Sequence, residues 1–109
     1  MGGEVKWLRV AAAGEVATGS MKAVEAGGRE FILYHLDDGS WCASDPLCTH
    51  AAARLAEGWL DGATVECPWH GGRFDLRTGA GVAGPVVEDL RLYEVRLESD
   101  DVLVGLAVV

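Results

Sequence analysis

Two short stretches, Cys48-Thr49-His50 and Cys67-Pro68-Trp69-His70, hold four of the six Cys and His residues in this chain. Sixteen residues separate them. Thiolate and imidazole are both good metal ligands. A zinc finger usually groups Cys with Cys and His with His. Here each stretch supplies one of each. That arrangement suits a two-metal cluster in which one metal collects both sulfurs and the other both nitrogens. A single structural zinc held by the same four residues is the competing reading.

The 109 residues are half apolar and fit one globular domain, 1–109. Acidic residues outnumber basic ones 17 to 9, a net charge of -8. That charge argues against nucleic acid and against anionic membrane surfaces, which would repel it. It allows weak, steered association with a basic protein surface. No apolar run approaches the roughly 18 residues of a membrane helix. The start, MGGEVKWLRV, lacks the basic-then-apolar pattern of a signal peptide. A cytoplasmic location is therefore expected, where cysteines more often serve as ligands or catalysts than as disulfides.

Fifteen glycines among β-branched and aromatic runs point to short strands joined by tight turns. REFILYHL (29–36) runs into Asp37-Asp38-Gly39 and then SWCAS (40–44), a hairpin signal. MKAVEA (21–26) precedes Gly27-Gly28, which predicts another. RLYEVRLE (91–98) places Tyr93, Val95 and Leu97 on one face and Glu94, Arg96 and Glu98 on the other, as in a half-buried strand. Ser99-Asp100-Asp101 then turns into VLVGLAVV. AAARLAEG (51–58) could hold one short helical turn, and no window predicts a long helix. The expected fold class is all-β. An antiparallel barrel or sandwich base spans about 4–43 and 86–109, with a small inserted subdomain over about 44–85 built around the two clusters.

In its middle the chain resembles the Rieske [2Fe–2S] proteins. The resemblance rests on "CTH", then Leu55 and Gly58, then "ECPWHGGRFDLRTG" (66–79) and Pro85. It implies that Cys48 and Cys67 hold one iron and His50 and His70 the other, with one [2Fe–2S] cluster per chain. Two thiolates and two neutral imidazoles leave the oxidised cluster near neutral, so an electron is accepted more easily than with four thiolates. Gly71-Gly72 would let backbone N–H groups approach sulfur. Pro68 and Pro85 would stiffen the loops.

The resemblance also narrows the branch. Oxygenase large subunits follow a similar domain with a long catalytic one, for which this chain is too short. It also has one spare His where a facial triad needs two. Cytochrome bc-type members add a cysteine to each ligand loop, where this chain has Ala53 and Trp69. Their high potential is also linked to a serine and a tyrosine that hydrogen-bond sulfur; here those positions are Gly72 and Phe74. The chain is similar to the ferredoxin components of bacterial aromatic-ring-hydroxylating dioxygenase systems. The resemblance implies a monomeric one-electron carrier between an NAD(P)H-dependent flavoprotein reductase and a terminal oxygenase, itself not an enzyme. A subunit held permanently in another redox complex is the alternative. A zinc-stabilised binding module is the reading outside redox chemistry.

The remaining notable residues have plainer expectations. Cys42 reads as a buried structural thiol and His35 as a surface or edge residue. Trp7, Trp41 and Trp59 read as packing. Trp69, between two ligands, either shields the cluster or belongs to a docking surface formed with Pro46, Leu47, Ala51, Gly71 and Pro85. The acid pairs Asp37-Asp38, Glu88-Asp89 and Asp100-Asp101 read as turns and solvated faces.

Overall fold

The computed structural model describes residues 4–49, 53–69, 71–83 and 88–108. These form ten strands: β1 Glu4–Ala12, β2 Ser20–Ala26, β3 Arg29–His35, β4 Trp41–Ser44, β5 Trp59–Asp61, β6 Thr64–Glu66, β7 Arg73–Asp75, β8 Gly81–Ala83, β9 Leu92–Glu98 and β10 Asp101–Val108. Among the described residues there is no α-helix, only two 3-10 turns, Ala13–Glu15 and Leu55–Glu57. The second falls inside the stretch expected to hold a helical turn.

Every strand pairing is antiparallel. Six strands form one sheet in the order β1-β10-β9-β4-β3-β2, and four form a second in the order β5-β6-β7-β8. The outer strands β1 and β2 also approach each other, so the large sheet curls toward a barrel. Turn chemistry sets the hairpins. Gly27 and Gly28 both have positive φ, 60° and 78°, the backbone of a two-residue hairpin turn whose twist matches the strands. In the β3–β4 turn, Gly39 takes φ 89°. There the Asp38 carboxylate accepts from the Ser40 hydroxyl at 2.6 Å and from its backbone N–H at 2.9 Å. Those bonds hold its pKa down at about 2. The β9–β10 turn is the exception, because Ser99 sits at φ 54° without being glycine.

The run Phe31-Ile32-Leu33-Tyr34 does not alternate because both faces of β3 are buried. Phe31 and Leu33 join Ala11, Val16, Val24, Ala43, Val102 and Val104 in one core. Ile32 and Tyr34 face a second core with Leu55, Val65, Phe74, Leu76, Leu90 and both Cys48 and Cys67. Strand β3 is thus a wall shared by two cores. Each of its large apolar side chains contributes about 1.5–3 kcal/mol by leaving water.

Several expectations change at this level. In β9, Tyr93 and Val95 pack on the base core, but Leu97 is half exposed where the strand runs out of cover. Trp59 is 57% exposed and not a packing residue. His35 lies on an interior strand, half-buried, with Nδ1 2.9 Å from the Val16 carbonyl. Its ring stacks on Trp41 at 3.9 Å between centroids. Cys42 is only half-buried, and burial pushes its thiol pKa up. Trp7 packs beneath the Arg96 guanidinium, 4.3 Å from the ring centroid.

Candidate metal centre

Cys48 is delivered by a loop leaving β4. The loop is pinned three times: Leu47 bridges Arg54, the Cys48 N–H donates to the Ala53 carbonyl at 2.9 Å, and the Leu55 N–H donates to the Pro46 carbonyl at 3.0 Å. Thr49 Oγ1 donates to the Glu88 carbonyl at 2.9 Å, tying the loop to the segment before β9. At the loop's root, Tyr34 and Ser44 hydroxyls meet at 2.8 Å in the interior. Ser44 donates onward to the Asp45 carbonyl at 2.8 Å, so Tyr34 is the donor of the first bond.

Cys67 opens the turn between β6 and β7. Its N–H donates to the Gly72 carbonyl at 2.7 Å, closing residues 67–72 into a loop. Gly71 takes φ 70° within it, a conformation most side chains resist. Trp69 N–H points at Cys67 Sγ, 3.4 Å away. Gly58 lies against the strand and loop that carry Cys67. A Cβ there would stand 1.9 Å from the Glu66 carbonyl oxygen and 3.2 Å from Pro68 Cδ, so only glycine fits beside the second loop.

These two loops bring the Cys48 and Cys67 thiols into hydrogen-bonding contact. Both are buried, at 5% and 1% exposure. Burial pushes the Cys67 thiol pKa up; the Trp69 amide opposes this, and the neighbouring Cys48 adds to it. A metal that takes both sulfurs binds them as thiolates. An amide aimed at one sulfur also matches the hydrogen bonding that stabilises thiolate in iron–sulfur sites. The donor set therefore fits the sulfur half of a [2Fe–2S] centre. His50 and His70, expected to supply the nitrogen half, lie outside the described residues, as do Ala51 and Pro85. Among the described residues no group of three His, Cys, Asp or Glu could hold a metal.

Around the thiols, Trp69 is 54% and Leu47 43% exposed, while Pro46 and Gly71 are half-buried. Gly72 and Phe74 are both buried. Sequence reasoning found the cysteines but missed the steric role of Gly58 and the Tyr34–Ser44 pair. It also missed the ion pair between Arg73 and Glu66, 3.0 Å apart. The last was within reach: Cys67 begins a tight turn, and pairing the residues that flank it sets Glu66 against Arg73.

Comparison with known proteins agrees with this construction. The chain is 38% identical over 103 residues to the naphthalene 1,2-dioxygenase system ferredoxin component of Pseudomonas putida, covering 94% of this chain and 98% of that one. The ferredoxin of carbazole 1,9a-dioxygenase from Nocardioides aromaticivorans IC177 superposes with a TM-score of 0.84 at 37% identity, over 91% of this chain and 96% of that one. A chain in the complex of reduced oxygenase and oxidized ferredoxin in carbazole 1,9a-dioxygenase superposes with a TM-score of 0.83 at 36% identity, over 91% and 92% of the two chains. Residues 6–94 match the model of the Rieske [2Fe-2S] domain. That span takes in both cysteine loops, the whole of the small sheet and the shared wall between the cores, and on it we conclude that this chain belongs to the Rieske [2Fe-2S] family.

Proposed function

We propose that this chain is a one-electron carrier, and that Cys48 and Cys67 hold one iron, and His50 and His70 the other, of a single [2Fe–2S] cluster. The carrier takes its electron from an NAD(P)H-dependent flavoprotein reductase and gives it to a terminal aromatic-ring-hydroxylating oxygenase. It is an electron-transfer component and not itself a catalyst. The observation that carries the reading is the buried, adjacent Cys48–Cys67 pair with the Trp69 amide directed at sulfur. Likeness over nearly the whole chain to ferredoxin components of dioxygenase systems supplies the physiological setting.

When bound, the cluster supplies a one-electron couple and nothing else. The chain's own residues do the rest. Cys48 and Cys67 give up their protons and stay shielded from water. Trp69 N–H steadies the sulfur charge that rises on reduction. Leu47 and Trp69 present an apolar surface beside the site. A small apolar patch suits redox partners, which meet briefly over limited area. Net charge of -8 steers the carrier to basic docking faces. We place the cluster-binding unit at about 44–85 and the base at about 4–43 and 86–109. The carrier is a cytoplasmic monomer in this reading; no helix among the described residues is long and apolar enough to cross a membrane.

The test is spectroscopic. The purified protein is expected to be red-brown, with an EPR signal on reduction whose average g lies below that of four-cysteine ferredoxins. His70→Ala is expected to lose iron. A colourless, folded, zinc-containing protein defeats the reading. Gel filtration as a free monomer separates the shuttle from a subunit bound permanently in a larger complex.

A further inference from the structure

The outward face of the small sheet carries a row of side chains not yet given a role. Trp59, Glu66 and Arg73 are directly paired across β5, β6 and β7. Paired residues share one face, with Cβ atoms about 4.5–5.5 Å apart. Arg73 Nη2 lies 3.0 Å from Glu66 Oε1. The other Glu66 oxygen lies 3.8 Å from where a Cβ on Gly71 would stand. Glu66 is also joined by its peptide bond to Cys67. Its carboxylate is therefore held beside the Gly71 end of the loop that begins at Cys67. With Trp59 on one side and Arg73 on the other, the Glu66 side chain is only 29% exposed, so water screens it incompletely.

A carboxylate held there disfavours the arrival of an electron, and a guanidinium beside it cancels the effect. From this placement we propose that Glu66 and Arg73 form a compensated charge pair in which each member offsets the other's effect on the cluster's midpoint potential, with Arg73 as the positioning and neutralising partner. The inference rests on the reading of Cys67 as a ligand. The redox step concerned is simple: one electron from a flavoprotein donor converts one ferric iron to ferrous. No bond is made or broken and no proton is required of either residue.

The test is a double-mutant cycle read by voltammetry, with cluster content first verified by visible spectrum and EPR. Arg73→Gln is expected to lower the midpoint and Glu66→Gln to raise it. Each shift is about threefold in the reduction equilibrium, or about 28 mV at about 59 mV per tenfold for one electron. The combined Glu66→Gln, Arg73→Gln protein is expected to return close to wild type, and Arg73→Lys to stay close to it. Added salt is expected to shrink the single shifts, because Arg73 is half exposed. Single variants that keep the cluster but leave the midpoint unmoved, or move it in the same direction, overturn the proposal and leave the ligand reading intact. If Arg73→Gln loses its cluster, Glu66→Gln decides alone, and no upward shift overturns the proposal. A wild-type protein without the [2Fe–2S] signal defeats both.

Discussion

Replacing Gly58 by alanine adds one methyl group to a surface-proximal turn, yet it is expected to be among the most damaging single changes in the chain. The new Cβ would stand 1.9 Å from the Glu66 carbonyl oxygen, where ordinary contact begins at about 3.4 Å. One of the two backbones must therefore yield by about 1.5 Å. Retreat is blocked on another side by Pro68 Cδ at 3.2 Å. Glu66 is paired to β5 and β7 and is bonded to Cys67, so the displacement passes straight into the Cys67 loop. Overpacking that forces the backbone to move costs about 1–3 kcal/mol, and this site belongs at the upper end. At about 4–8 °C per kcal/mol for a domain of this size, the melting temperature falls by more than about ten degrees. Gly14→Ala is the control, because a Cβ there meets nothing within 4 Å. Differential scanning calorimetry and iron content are measured on both. If Gly58→Ala melts with Gly14→Ala and keeps its iron, the steric reasoning is wrong.

Three further outcomes are expected. Gly72→Ser with Phe74→Tyr restores two hydroxyls near sulfur, each bond differing by about 1.4 kcal/mol between redox states, so the midpoint rises by about 100 mV from a wild type near -150 mV; voltammetry showing a wild type above zero, or no rise, defeats this. Trp69→Ala keeps the cluster but slows electron exchange with at least one partner in stopped-flow mixing, and equal rates with both would reduce Trp69 to packing. Ser44→Ala destabilises more than Tyr34→Phe in urea denaturation. The first strands a buried tyrosine hydroxyl at a cost of about 1–3 kcal/mol. The second leaves Ser44 still bonded to the Asp45 carbonyl.

Much of the base was legible because its turns are chemically explicit. Gly27-Gly28 and Asp37-Asp38-Gly39 demand positive φ, and both hairpins form where expected. The small sheet was not resolved in advance into its strands. β5 to β8 have three residues each, too short to display a two-residue period. Trp59 misled for a related reason: aromatic residues are buried on average, but a three-residue edge strand has little to cover its outward face. His35 was misplaced because strand order is invisible locally, and only the pairing of β3 with both β2 and β4 makes it interior. At the site, the spacing of Cys48 and Cys67 already implied that they meet, since few chemistries use one Cys and one His from each of two loops. The Glu66–Arg73 pair was overlooked rather than hidden: closing the turn that starts at Cys67 sets the hairpin register, which turns a gap of seven residues into direct contact.

Both cysteines sit in the same core as Phe74, Leu76, Ile32 and Tyr34. With Cys48 and Cys67 as ligands, as proposed above, the cluster would not be an accessory docked onto a finished protein, because its sulfur ligands are part of the buried core. It follows that colour doubles as a fold assay for this chain. The ratio of visible to ultraviolet absorbance would report, in one cuvette and without a partner protein, what fraction of the molecules have folded.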